Sequence, residues 1–410
     1  MAKPRVSGSF DRAHAEPVEL AFPREEYLPR WAKAKKLMER DGIDVLYATS
    51  PAHMCWLHGY FAAWYRTHAP SNWGACLGTA LCLNWDEPIH FDAIGEDALL
   101  YKTSVARDLR FFDDRSPEGQ PRFIVRELAK SGLLKPGTRV GLEKRSFQPN
   151  RLVSEQIEAA FREAGCEVVD ASLILRHARR VKSKAELAHV EQAMRVCEKG
   201  ILAAQATIRP GVTELDVQAE MTAAMYHAGG ELSAIPIMIQ SGNTIGGHQM
   251  PRRRAIKADE HVKIDVCGVW WRYHGNLLRG YWVGEPPADV RDRYRRSAGS
   301  WDVFRNEARA GRPVREVNAE LRRYYKDVGL SDRPGWCIGY ELGIAMPPDW
   351  VDEFNFSYDE DPPEDVVWEE GFVGNFETLF DTGLIDTFVI EKEGARNLGR
   401  IPLDILVCKG

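Results

Sequence analysis

Between Asn243 and Arg279 the chain gathers residue types that move protons and hold polar molecules. His248 follows Gly246 and Gly247 in a turn, Asp265 ends the apolar run His261–Val266, and Tyr273, His274, Asn276 and Arg279 come soon after. An imidazole changes charge near neutral pH, so His248 is a candidate proton carrier as well as a possible backbone-bonding turn residue. A carboxylate in an apolar strand is costly to bury without a partner. Asp265 is therefore either half of a structural ion pair or a site residue, acting as general base, nucleophile or anchor for a substrate cation. Tyr273 and His274 are adjacent on a strand and point to opposite faces, so one of the two faces any pocket there. Asn276 can orient a substrate amide or water, or simply fill a turn.

Later in the chain come Tyr340, Trp350, Glu377 and Asp386. Three carboxyl groups brought together cannot all ionise cheaply, so if Glu377 and Asp386 meet Asp265, at least one keeps its proton and can serve as a general acid. Pairing with Arg279 is the structural alternative. Tyr340 can donate to an oxyanion or pack beside Trp350, whose π face suits a cationic or delocalised substrate. Near the start, the aromatic-rich segment Tyr60–Trp73 carries Arg66 and His68. A guanidinium matches a carboxylate in geometry, which makes Arg66 a candidate substrate anchor and His68 its neighbour in the same segment.

The order of these residues resembles the pita-bread superfamily of methionine aminopeptidase, aminopeptidase P, prolidase and creatinase. In its metal-binding members two aspartates eleven residues apart precede a histidine and two glutamates. The corresponding positions here read Asp265, Asn276, Tyr340 in Gly339-Tyr340-Glu341-Leu342-Gly343, Glu377, and Asp386. A divalent pair needs several anionic oxygens, with imidazole for a borderline transition metal. The resemblance thus implies no tightly held metal pair and no other cofactor, and leaves room for one weakly held ion on Asp265, Glu377 and Asp386. Arg272-Tyr273-His274, the run Ile338–Gly343 leading into Met346-Pro347-Pro348-Asp349-Trp350, and the pair Tyr47–Pro51 and Trp56–Tyr60 are similar to the ectoine hydrolases of the metal-free branch. The pattern departs from theirs at Asp265, where they carry glutamate, and at Glu377.

That resemblance implies a homodimeric hydrolase that cleaves a non-peptide C–N bond in a small carboxylate-bearing molecule. The catalytic set would be His248, Asp265, Glu377 and Asp386. Substrate would be held by Arg66, His68, Tyr273, His274, Asn276, Tyr340 and Trp350, with the N-terminal segment of one subunit reaching its partner's pocket. Two alternatives stay open: a lyase of the dimethylsulfoniopropionate-cleaving type, and a catalytically inactive pita-bread module that binds a peptide or protein.

The elements that must position these residues follow from patterning. Residues 24–42 form a helix running into a strand at Ile43–Ala48. Strands at Ala80–Leu83, Ile89–Phe91 and Arg139–Leu142 alternate with helices near Pro121–Leu133 and Pro149–Glu163. Helices at Ala185–Thr207, Glu214–Ala228, Asp289–Ala310 and Arg315–Val328 bracket the central strands as a helix, Pro/Gly turn, helix pseudo-repeat, which fits a curved sheet backed by helices. The expectation is an α/β and α+β protein, with a creatinase-type α/β domain over 1–176 and a pita-bread catalytic domain over 177–410. With 410 residues, 44% of them hydrophobic, the chain can bury two large cores. A net charge of −6 with no basic stripe argues against nucleic acid as partner. No apolar run reaches the roughly 18 residues that span a bilayer. The start, MAKPRVSGSFDR, lacks a signal-peptide core, so a cytoplasmic location without membrane contact is expected. Eight cysteines without metal-type spacing read as buried thiols.

Overall fold

The computed structural model describes residues 18–63, 76–112, 119–242, 247–332, 335–380 and 382–410. The chain separates into two compact units, dividing between Arg179 and Arg180. Arg66 and His68 lie outside the described residues.

The first unit is built on six strands: β1 (Val45–Ala48), β2 (Gly78–Cys82), β3 (Ile89–Asp92), β4 (Asp108–Phe111), β5 (Arg139–Leu142) and β6 (Glu167–Asp170), in the order β4-β3-β2-β1-β5-β6. Pairing is parallel for β1 with β5, β5 with β6 and β3 with β4, and antiparallel for β2 with both neighbours. Patterning missed β4 and β6, which are short and only half-buried or mixed in burial, so neither shows a clear alternation. It also missed the helix Pro51–His58, in which a proline occupies the first turn, where its missing N–H costs nothing, and Gly59 at φ 86° ends the element.

The second unit carries β7 (Met238–Ser241), β8 (His261–Trp270), β9 (Tyr273–Val283), β10 (Gly335–Glu341), β11 (Asn355–Ser357), β12 (Val373–Phe380), β13 (Leu384–Ile390), β14 (Ala395–Asn397) and β15 (Leu406–Cys408). They form one nine-stranded sheet with the central order β11-β10-β12-β13-β9-β8-β7. Two helix pairs, Lys184–Thr207 with Glu214–His227 and Ala288–Glu307 with Val314–Asp327, match the expected pseudo-repeat. The first pair is started by reciprocal capping boxes, Ser183 with Glu186 and Thr213 with Asp216. Each such cap is worth about 1 kcal/mol.

One face of this sheet is committed to the helices. Phe376, Phe380, Phe388 and Ile390 pack there with Trp301, Phe304 and Trp368. At the β8–β9 hairpin the helix Lys184–Thr207 comes closer still. A Cβ at Gly268 would stand 2.0 Å from the Ala193 carbonyl oxygen, and one at its cross-strand partner Gly275 would stand 2.5 Å from Met194 Sδ. Only glycine at both positions permits this approach. The hairpin turn is less ordinary. Trp271 and Arg272 sit at φ 50° and 64°, the left-handed conformation that a two-residue turn requires and that Asn-Gly usually supplies. Glu231 offsets the strain by accepting from both Trp271 N (2.8 Å) and Arg272 N (3.0 Å), while the Arg272 guanidinium donates to the Leu232 and Ala345 carbonyls.

Candidate active site

The face of the sheet away from the helices holds a cavity of about 200 Å³. Its polar lining is Gln240, His248, Lys263, Asp265, Tyr340 and Glu377, and its walls include Leu278, Trp336, Trp350 and Ile385. Strand periodicity explains the set. Lys263 and Asp265 are two apart on β8 and share a face. On β12 the same alternation puts Asn375 and Glu377 toward the cavity and Phe376 into the helix-side core.

Asn276 stands two cross-strand pairs along from Asp265, on the same face, and donates from Nδ2 to Asp265 Oδ1 at 2.8 Å. The Asn276 side-chain oxygen Oδ1 in turn accepts from Asn375 Nδ2 at 2.9 Å, and the other Asn375 hydrogen goes to Glu377 Oε1 at 2.9 Å. Asn375 also accepts from the Tyr340 backbone N–H. A single amide therefore ties β9, β10 and β12 together and fixes the separation of the two acids. The sequence reading did not select Asn375, although its i, i+2 spacing from Glu377 on a strand was the available signal.

Asp265 and Glu377 influence each other. Burial pushes Asp265 above the ordinary aspartate range, opposed by the Asn276 hydrogen bond and the Lys263 charge. Glu377 is pushed up to about 8, by burial first and by the Asp265 charge second, against the Asn375 hydrogen bond. At neutral pH the pair thus carries a proton on Glu377. Burial, with the two carboxylates next, raises the Tyr340 phenol well above its usual value, so it stays a donor, and its oxygen accepts from Trp350 Nε1 at 2.9 Å. Burial lowers Lys263 from its ordinary value, and Asp265 and Glu377 oppose that shift. His248 stands exposed at the mouth, in a turn tethered by Gln240 Nε2 donating to the Gly247 carbonyl.

Other candidates lie elsewhere. Asp386 does not face the cavity. Glu377 pairs across the sheet with Ile385, so Ile385 shares the cavity face and Asp386, one residue later, points to the helix side. There it is fully buried against Arg279 (2.8 Å) and accepts from Thr387 N and Gly399 N. The position opposite Glu377 is therefore occupied by isoleucine, and the assignment of Asp386 to it is corrected by one residue of register.

Tyr273 is also turned to the helix side, where its hydroxyl donates to Glu186 at 2.8 Å. His274 takes the cavity-side face but lies behind Trp350, with ring centroids 6.5 Å apart. Its Nδ1 bonds the Arg272 carbonyl and its Nε2 accepts from Ala234 N. The Arg272-Tyr273-His274 triplet thus braces the hairpin and the neighbouring loops rather than lining the cavity. All eight cysteines are buried and free, in keeping with the sequence reading.

The donor set does not fit a divalent metal pair. Of the five family positions, Asn276 aims N–H groups at Asp265, Tyr340 is a phenol engaged with Trp350, and Ile385 is apolar. Two carboxyls remain, with a lysine beside them. Among the described residues no group of three or more His, Cys, Asp or Glu side chains is arranged to hold an ion, and no helix is long and apolar enough to cross a membrane.

The chain is 23% identical to the ectoine hydrolase of Halomonas elongata over 95% of this chain and 99% of that one. It is 25% identical to the Xaa-Pro dipeptidase of Pyrococcus furiosus over 57% of this chain and 67% of the relative. The solved Xaa-Pro dipeptidase from Bacillus anthracis superposes with a TM-score of 0.76 at 17% identity, covering 93% of this chain and 99% of that structure, which shows the pita-bread fold. Residues 30–181 match the creatinase/prolidase N-terminal domain and residues 188–396 match the metallopeptidase family M24. With half its length in that match and the usual N-terminal companion ahead of it, the chain belongs to the M24 metallopeptidase family of pita-bread hydrolases.

Proposed function

We propose that this M24 member is a hydrolase that cleaves a non-peptide C–N bond in a small, carboxylate-bearing polar molecule, and that it does so without a metal. The observation that carries the reading is the hydrogen-bonded network Asp265–Asn276–Asn375–Glu377, in which two amides hold together the two carboxyls that stand at family ligand positions. Burial raises both carboxyls, and the Asp265 charge raises Glu377 further, which makes Glu377 the acid and Asp265 the base of the pair. The cavity of about 200 Å³ is below the roughly 300–1,000 Å³ common for drug-sized ligands, which favours a small substrate. The resemblance to an ectoine hydrolase along nearly the whole chain supports the same class.

In the proposed reaction Glu377 gives its proton to the leaving nitrogen of an amide or amidine as the central carbon is attacked. Asp265 takes a proton from the attacking water, or attacks the carbon itself and expels the nitrogen, forming a mixed anhydride (its imino counterpart from an amidine) that water then opens. Tyr340 donates to the oxygen on which negative charge develops. The C–N bond breaks, the nitrogen leaves with the proton from Glu377, Asp265 gives up the proton taken from water, and Glu377 regains one by exchange with solvent through His248 at the mouth, so both acids return to their starting states. Arg66 and His68, which lie outside the described residues, remain proposed substrate contacts delivered by the partner subunit of a homodimer.

The test is metal analysis of the purified protein with a turnover screen of ectoine, creatine and other small zwitterions in ¹⁸O-labelled water. The expected result is turnover that survives chelation and places one labelled oxygen in the product. A stoichiometric transition metal whose removal abolishes turnover would overturn the reading. Product without label would point instead to elimination.

A further inference from the structure

Lys263 was not selected by motif or resemblance, and the scheme above gives it no task. It lies on β8 two residues before Asp265, on the same face, with Gln240 opposite on β7 and Gly280 opposite on β9. Its stem rests on the backbone at Gly383, where an added Cβ would be 3.4 Å from both Cγ and Cδ. The absence of a side chain at Gly383 leaves room for the lysine stem, and the side chain lines the cavity. Among the described residues its ammonium has no hydrogen-bond or ion-pair partner, although Asp265 and Glu377 are near enough to act on its charge. A half-buried ammonium without a paired anion is held at a desolvation cost that an incoming anion would relieve.

We propose that Lys263 is the anion-binding residue of this cavity and takes the carboxylate of the substrate. This rests on the hydrolase reading for what happens next, and it adds a restriction on what can be cut. Residues two apart on a strand have Cα atoms about 7 Å apart, so an anion at Lys263 and a carbon at Asp265 belong to neighbouring parts of one small molecule. The substrate class is therefore one whose carboxylate lies one or two bonds from the scissile nitrogen, as in an N-acyl or N-amidino α-amino acid. The apolar walls, Leu278, Trp336 and Ile385 among them, receive the remainder.

The experiment compares N-acetylglycine with its neutral relative N-acetylglycinamide, on the full chain, by ligand-observed NMR, which also reports any acetate released. Wild type should bind the carboxylate and bind the amide about tenfold more weakly or less. Lys263→Met should remove that preference, and Lys263→Arg should keep it within about threefold, which controls for folding. Wild-type binding that does not distinguish the two probes, or a Lys263→Met preference equal to that of wild type, would overturn the proposal. Equal weakening of both probes in Lys263→Met would do so as well, by showing that the lysine acts on the carboxyl pair instead. Carboxylate-selective binding without acetate release would leave Lys263 as the anion site and count against N-acetylglycine as substrate, so failure of the reaction and failure of the site give different results.

Discussion

Replacing Glu377 with glutamine removes a proton-binding group while keeping an oxygen that can accept from Asn375. In the folded protein Glu377 is raised from the ordinary 4.5 to about 8, chiefly by burial and next by the Asp265 charge. A group whose folded pKa lies above its unfolded one contributes stability that is fully present below pH 4.5 and is lost as pH rises through 8. Over the whole window the change is about 5 kcal/mol, of which about 4 kcal/mol falls between pH 5 and pH 9. Glu377→Gln has no such term, so its stability relative to wild type should rise with pH by that amount. For a unit the size of Arg180–Gly410, each kcal/mol moves the melting midpoint by about 2–4 °C. The gap between variant and wild type should therefore widen by roughly 10 °C from pH 5 to pH 9. Differential scanning calorimetry of both proteins across that range measures it, and effects of titrating groups that do not interact with Glu377 cancel in the difference. A gap that stays constant with pH would show that Glu377 is ionised throughout, and the assignment of Glu377 as the acid would fall with it. The same titration should appear in catalysis, with turnover declining as pH rises through about 8.

Asp386→Ala should behave as a structural lesion, because it leaves the buried Arg279 guanidinium without its carboxylate and orphans the Thr387 and Gly399 N–H groups. A loss of about 3–5 kcal/mol in denaturant unfolding is expected, and a fully stable variant would contradict the placement of Asp386 on the helix side. Glu231→Ala should destabilise the β8–β9 hairpin by about 2 kcal/mol by releasing the two turn N–H groups. Hydrogen exchange should rise first in His261–Val283, and unchanged exchange there would mean that the left-handed turn needs no such brace.

The sequence by itself determined the alternation of elements, the paired helices, and the family frame around Asp265, Asn276, Tyr340 and Glu377. These are legible because they are local. A helix start is written in Ser183 and Glu186 three residues apart, and a strand in its run of apolar residues. Asp386 was misplaced because residue type suggested a carboxylate opposite Glu377, while facing direction is set by pairing register, and one step along a strand reverses it. Asn375 escaped notice because an asparagine in a strand has no chemistry until its partners on two other strands are known. Lys263 reads as an ordinary charged strand residue, and only the cavity formed by β7, β8, β9, β10, β12 and β13 makes its charge consequential. The elevated proton affinity of Glu377 was expected in kind, from converging acids. Which acid carries the proton was decided by the tertiary structure, because burial and the Asp265 charge act through space and leave no trace in the order of residues.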